Sequence, residues 1–251
     1  MIEIEHISKS FDGKLVIDDI SGRFEQGKTN LIIGASGTGK TVLVKCMVGL
    51  VKPDTGNVVY DGRDFTHADR DLKTEIRREI GMLFQGGALF DSKSVQENVM
   101  FPLNVLTRMT PEEKLDRVNF CLQRVGLENV NKMMPSEISG GMKKRVGIAR
   151  AIVNNSQYLF CDEPNSGLDP QTAILIDNLI QEITKEFKIT TIVVTHDMNS
   201  VMEIGEYIMF MFQGVKVWEG SCDNISQTEV KELQDFIFAN KLMRTLQAGE
   251  S

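Results

Sequence analysis

Apolar and polar residues alternate from the start of the chain. Ile2 and Ile4 stand between glutamates and Ile7 follows His6, which predicts a short strand with one apolar face. The Asp12-Gly13 turn signal separates it from a second strand over Lys14–Ile20. Thr29–Ile33 is a short apolar strand that runs straight into a glycine-rich loop. Beyond the loop, Val42, Leu43, Cys46, Met47 and Leu50 recur at helical spacing, and Gly49 and Pro53 end the pattern. Val58–Tyr60 and Gly81–Phe84 read as further strands, with a charged helical stretch, Arg70–Arg78, between them.

From about 86 to 150 the pattern is helix-rich, with no clear strand. Thr110-Pro111-Glu112-Glu113 is a helix start: threonine as N-cap, proline at the first position, acids in the first turn. Strand and helix then alternate again through Tyr158–Cys161, Pro170–Phe187 and Ile189–Thr195. Short strands at Tyr207–Phe212 and Val215–Trp218 flank Gly214. From Thr228 the tail places Val230, Leu233, Phe236 and Ile237 on one helical face, and Leu242, Met243 and Leu246 extend the apolar run. Such a face is too hydrophobic to lie free in water, so it is expected to pack on this subunit, a second copy or an accessory protein. The whole describes an α/β core interrupted by a helical insertion.

Composition narrows the function. With 251 residues, 41% hydrophobic and 25% charged, the chain suits one large domain or a core with a modest subdomain. A net charge of −7 weighs against a nucleic-acid partner. No run of 18 apolar residues occurs, and the opening MIEIEHISKSF reads as structure rather than as a leader. Cys46, Cys121, Cys161 and Cys222 are scattered without a CxxC, so buried reduced thiols in a cytosolic protein are expected.

The chemistry concentrates in two places. Gly34-Ala35-Ser36-Gly37-Thr38-Gly39-Lys40-Thr41 fits G-x-x-x-x-G-K-[ST] between a strand and a helix. Glycines there let backbone N–H groups wrap phosphates, and the helix N-terminus adds partial positive charge. Lys40 is expected at the β- and γ-phosphates and Thr41 on Mg²⁺. The second place is the apolar run Tyr158–Cys161, which ends in Asp162-Glu163. A buried parallel strand delivers its carboxyl end to the ligand, so Asp162 is expected to hold Mg²⁺ and Glu163 to deprotonate the attacking water.

Ile138-Ser139-Gly140-Gly141-Met142, placed shortly before that acidic pair, resembles the signature segment of the ABC ATPases. Physically it is an N-cap serine and two glycines opening a helix, an anion site without a lysine of its own. The resemblance spans residues 1 to about 220 and implies a P-loop NTPase core with a small antiparallel β region and a helical subdomain insertion. It implies an ABC ATPase domain over 1–227, with the helical subdomain at about 86–150 and a C-terminal helical extension at 228–251. Ser139, Gly140 and Gly141 would complete the site of the opposite subunit, in a head-to-tail homodimer with two ATPs at its interface. Gln85 resembles the glutamine that senses Mg²⁺ and water, and His196 the histidine that contacts the γ-phosphate. Ser166-Gly167-Leu168-Asp169 resembles the loop through which subunits communicate, with Asp169 at its end. Phe11 takes the place of the adenine-stacking aromatic, and ordinary core packing stays open for it. Three positions depart from the family pattern: Asn165 for threonine, Met142 for glutamine and Phe11 for tyrosine. None removes a metal ligand, the base or the phosphate lysine.

Phe84-Gln85-Gly86-Gly87-Ala88-Leu89-Phe90-Asp91, then Ser94–Val99 and Phe101-Pro102-Leu103, together with Ser139–Arg145, resembles the ATPase of Mla/Mce-type lipid transporters of diderm bacteria. That likeness implies an integral inner-membrane permease, an MCE-domain lipid-binding protein, and a peripheral place on the cytoplasmic face of the inner membrane. Leu89, Phe90, Val95, Val99, Met100 and Phe101 are candidates to line a permease-docking groove, or to fill the subdomain's own core. Arg108 through Arg150 holds nine basic and five acidic residues, a surplus that fits a solvated face or an anionic surface. Two rivals stay open: an importer of amino acids or another small solute, and a non-transport ABC protein on ribosomes or DNA. The second is disfavoured by a single ATPase module, the absence of heptads and the acidic balance.

Overall fold

The computed structural model describes residues 1–238. The expected contacts of Leu242, Met243 and Leu246 lie outside the described residues. Two sheets form the frame. In the first, β1 (Ile2–Phe11), β2 (Lys14–Phe24), β4 (Thr55–Tyr60) and β5 (Arg63–Asp64) pair antiparallel in the order β2-β1-β4-β5. The second contains β3 (Thr29–Ile33), β6 (Ile80–Leu83), β7 (Tyr158–Asp162), β8 (Thr190–Thr195), β9 (Tyr207–Phe212) and β10 (Val215–Gly220), in the order β10-β9-β3-β8-β7-β6. All its pairs are parallel except β10 on β9, at one edge.

β1 runs longer than the alternation alone predicts. The register shifts between Ile4 and Ile7, where His6 adopts φ 52. This bulge absorbs one residue, so Ile2, Ile4 and Ile7 are all buried although their spacing changes from two to three. On the facing strand Asp19 is also left-handed, at φ 48, and its carboxylate meets His6 Nδ1 at 2.6 Å.

Strands β3, β7 and β8 are buried throughout, which is why they read as unbroken apolar runs. Along β3 the side chains divide by face. Leu31 and Ile33 join a core under the helices, while Ile32 joins Leu43, Phe160 and Met209 beneath the antiparallel sheet. The helices are α1 (Lys40–Met47), α2 (Arg70–Arg78), α3 (Val95–Leu106), α4 (Pro111–Arg124), α5 (Gly140–Ile152), α6 (Pro170–Phe187), α7 (Met198–Ile204), α8 (Cys222–Ile225) and α9 (Lys231–Ile237).

The stretch 86–150 carries α3, α4, a 3₁₀ turn at Pro135–Glu137 and α5, and no strand among the described residues. Thr110 caps α4 as its sequence predicts, and Glu113 reaches back to complete a capping box. In the tail only Lys231–Ile237 is helical among the described residues; Leu233 and Ile237 are buried on this chain and the Phe236 ring lies 5.4 Å from Phe210. Cys46, Cys121 and Cys161 are buried free thiols, but Cys222 is only half-buried because it opens the exposed turn α8.

Candidate functional site

Three parallel strands, β3, β7 and β8, and β6 beside them, deliver their carboxyl ends to one side of the sheet. A cavity of about 940 Å³ opens there. Ala35, Ser36, Gly37, Gly39, Lys40 and Thr41 line it together with Gln85, Glu163, Asn165, Ser166, Gly167, Thr195 and His196. Gln85 follows β6, Glu163 follows β7 and His196 follows β8, so residues far apart in the sequence meet because their strands are neighbours.

The loop before α1 depends on glycine at two tight points. Gly34 has φ 147, and a Cβ there would sit 2.3 Å from the Met211 carbonyl oxygen. Gly39 has φ 95, and a Cβ would meet Ile17 Cγ2 at 2.5 Å. No side chain caps α1, so its first N–H groups are left for a ligand. Lys40 is buried, and its Nζ donates to the Gly34 and Ala35 carbonyls at 2.7 and 2.8 Å. Burial lowers its pKa, against the pull of Glu163 and Asp162.

Glu163 stands in the left-handed region at φ 50, an uncommon place for a side chain with a Cβ. Its N–H donates to the Val194 carbonyl at 2.9 Å, and its own carbonyl accepts from Ser166 N–H at 3.2 Å. The carboxylate is held by His196, whose Nδ1 lies 2.8 Å from Oε1. Asp162, 8% exposed, lies just below; its Oδ1 is buried without a hydrogen-bond partner. Burial raises its pKa, Glu163 raises it further, and Lys45, Lys40 and Lys144 oppose both.

A family profile described as "ABC transporter" matches residues 17–166. The chain belongs to the ABC transporter ATP-binding family. It is 35% identical to the probable ribonucleotide transport ATP-binding protein mkl of Mycobacterium leprae, over 96% of this chain and 70% of that protein. It is 37% identical to the methionine import ATP-binding protein MetN of Desulfitobacterium hafniense, over 98% of this chain and 74% of that one. Among solved structures, the dimeric ATP-binding cassette MJ0796 in a post-hydrolysis state with ADP and Pi superposes with a TM-score of 0.80 at 31% identity. That match covers 88% of this chain and 99% of the cassette. The cbiO1 subunit from Clostridium perfringens, part of the transporter complex cbiONQ, gives a TM-score of 0.84 at 28% identity, covering 98% of each chain.

This ABC ATPase therefore binds and hydrolyses ATP. Not every expected site residue reaches the cavity. Phe11 lies at the end of β1, 44% exposed, with Lys9 Nζ 5.4 Å from its ring centroid; it is outside the cavity lining. Ser139, Gly140 and Gly141 are also outside it. Ser139 caps α5 by accepting from Met142 N–H, and Gly141 packs against α6, where a Cβ would meet Thr172 at 2.6 Å. Asp169 caps α6 and accepts from both Thr172 N–H and the Thr172 hydroxyl. The signature segment and Asp169 thus form one corner beside the cavity, while Ser166 and Gly167 of the same loop line its wall. Helix α5 starts at Gly140, two residues before Met142, so both glycines lie inside the helix.

Other lining residues carried no signal along the chain. Val16, Asp197 and Met198 enter through folding alone, and Phe236 of α9 forms part of the wall. Only its helical spacing marked Phe236 out.

A second concavity lies beyond β6, lined by Phe84, Ala88, Phe90, Phe101, Pro102 and Leu106 with Arg78 and Arg150. Phe90 and Phe101 are among the residues expected in a groove, but Val95 and Val99 are fully buried in the helical core, one α-helical turn apart on the inward face of α3. The basic surplus of this region is likewise not wholly a solvated face. Arg150 donates to the Gly87 and Ala88 carbonyls, and Lys144 is 3% exposed. No helix among the described residues is long and apolar enough to cross a membrane.

Proposed function

We propose that this chain energises phospholipid transport of the Mla/Mce type, as one of two ATPase subunits under an integral inner-membrane permease, with an MCE-domain protein handling the lipid. The contact of Glu163 with His196 at 2.8 Å, at the mouth of a phosphate-binding loop, carries the hydrolytic half of this reading. Glu163 takes a proton from water. The water oxygen bonds to the γ-phosphorus as the bond to the β–γ bridging oxygen breaks, and the electron pair leaves with ADP. A neutral His196 that donates through Nδ1 to Glu163 has only an acceptor at Nε2. Nε2 is then the ring atom left to face the nucleotide and the attacking water.

The oxygen donors fit Mg²⁺. Asp162 Oδ1 is buried without a partner just outside the cavity lining, and Thr41 and Gln85 line the cavity itself. The described residues hold no cluster of three His, Cys, Asp or Glu side chains that would cage a metal by themselves. A cation shared between one carboxylate, a hydroxyl and the nucleotide's phosphates suits such a site. Bound there, Mg²⁺ would neutralise charge on the β- and γ-phosphates.

Ser139, Gly140 and Gly141 act on the partner's nucleotide, which agrees with the exposure of Ser139 and Gly140 away from this chain's own cavity. Phe11 stacks on adenine with its open ring face, and Asp169 passes the state of one site to the other. The groove holding Phe84, Phe90 and Phe101 receives the permease. The ATPase domain spans 1–227 with its helical subdomain at about 86–150, and the segment from 228 is an extension that begins by packing on this chain.

The lipid assignment rests on the likeness of Phe84–Asp91 and Ser139–Arg145 to Mla/Mce ATPases. The printed names of the relatives, ribonucleotide transport and methionine import, favour a second reading, a small-solute importer. Glu163→Gln tests the chemistry: ATP binding is retained and turnover nearly abolished, and normal hydrolysis would refute the assignment. A mild-detergent pull-down with mass spectrometry tests the cargo. An MCE-domain protein with bound phospholipid supports lipid transport; a permease with a solute-binding partner overturns it.

A further inference from the structure

Lys144 lies in a run, Lys143-Lys144-Arg145, whose other members are half-exposed, yet it is itself 3% exposed. Its Nζ donates to the Glu163 carbonyl at 3.2 Å and forms no ion pair among the described residues. A buried ammonium is costly unless charge or hydrogen bonds compensate it. What compensates it here is that one carbonyl and the nearby negative groups of Glu163 and Asp162. The rest of the inward face of α5 is apolar or glycine: Val146, Gly147, Ile148, Ala149, Ala151 and Ile152. Packing alone gives no reason for a cation at that position.

Its acceptor supplies the reason. Glu163 is held in a left-handed conformation that is strained for a side chain with a Cβ and persists only where its surroundings fix it. The N–H is tied to Val194 of β8 and the carboxylate to His196, while Lys144 and Ser166 N–H tie the carbonyl. Of these four tethers, only Lys144 comes from α5. The same helix begins at the exposed Ser139, five positions earlier, about 7.5 Å along its axis.

We propose that Lys144 is a positioning residue for hydrolysis, holding the backbone of Glu163 so that α5 serves two nucleotides at once: its N-terminus the partner's, its lysine this chain's own. This rests on the assignment of Glu163 as base and of Ser139 as acting across the dimer. Contact of a nucleotide with the N-terminus of α5 then bears on the aim of Glu163 through one rigid helix.

The test is steady-state ATP hydrolysis by the assembled transporter, with ATP affinity and thermal unfolding measured beside it. Lys144→Met is expected to lower kcat about tenfold or more, with ATP affinity within about twofold, because a small misplacement of a reacting group is costly in rate. Lys144→Arg restores most of the loss, since it returns the donor. Should the methionine variant not fold, Lys144→Leu, which also removes the donor, takes its place with the same expected loss of kcat. A folded variant with unchanged kcat, or a loss confined to ATP affinity, overturns the proposal. Glu163→Gln is run in parallel: if it hydrolyses normally the underlying assignment fails, and if it is inactive while Lys144→Met is active only the positioning role fails.

Mixed dimers test the shared helix. Lys144→Met in one protomer and Ser139→Ala in the other damage the same site and spare the Lys144 and Ser139 contacts of the second, so more activity survives. Both changes in one protomer damage both sites and leave little. Equal residual activity in the two arrangements overturns the two-site role of α5.

Discussion

Replacing Asp177 with asparagine removes a single titration from the interior of the chain. Asp177 lies on α6, is 2% exposed, and its Oδ1 is buried without a partner. Burial pushes its carboxyl up to about 6; hydrogen bonds from Ser200 and Asn165 hold it down, and Asp197 and Glu203 push it up. From β7, Cys161 faces it. The ordinary value is 3.8. The folded chain thus holds this proton more tightly than the unfolded chain does. Stability is full below the unfolded value, falls as pH rises between the two values, and stays low above the folded one. The cost works out at about 2 kcal/mol near pH ~5 and about 3 kcal/mol near pH ~7.5.

An asparagine side chain in its place is neutral at every pH, and its amide N–H₂ offers donors where the buried Asn165 Oδ1 also lacks a partner. Asp177→Asn is therefore expected to stabilise the fold, by about 1 kcal/mol more at pH ~7.5 than at pH ~5. Near neutral pH the gain corresponds to a rise of roughly 6–12 °C in Tm for a chain of this size. Thermal and urea unfolding across that pH range measure it directly. A gain that is the same at every pH, or a loss of stability near neutral pH, would refute the account, since either result means Asp177 is not a buried carboxyl that ionises reluctantly.

Two further outcomes follow from the cavity. Gly34→Ala forces a methyl against the Met211 carbonyl at 2.3 Å and is expected to abolish nucleotide binding, read by equilibrium titration with a fluorescent ATP analogue; retained affinity would show that the loop can shift. Phe236→Ala removes the ring that touches Phe210 and walls the cavity, so it should cost about 1–3 kcal/mol of stability and weaken ATP binding together. A stability loss with unchanged affinity would confine Phe236 to packing.

Much of this site is legible in the sequence because its parts are local. The loop from Gly34 to Thr41 places its own glycines, lysine and hydroxyl, and the apolar run ending at Asp162 marks its strand by itself. The family resemblance points to Gln85 and His196, but only the strand order β3-β8-β7-β6 places them beside Lys40. Lys144 is hidden for a physical reason: a basic triplet on a helix is usually solvated, and only the packing of α5 turns one member inward. Phe236 carries helical spacing, which says that a residue is buried but not against what. An apolar stripe does not state which way it faces, so the spacing of Val95 and Val99 fits a groove and a core equally. The bulge at His6 is invisible because alternation resumes on either side of it.

The ring contact between Phe210 and Phe236 has an optical consequence. The chain has one tryptophan, Trp218, paired across strands with Phe210, and both Trp218 and Phe236 pack on the core that contains Phe210. The sole indole is thus on the strand beside Phe210, whose ring meets the Phe236 that walls the cavity. A shift in the seating of α9 when nucleotide enters is therefore expected to alter the indole's emission, and titrating ATP into the unlabelled chain would read it.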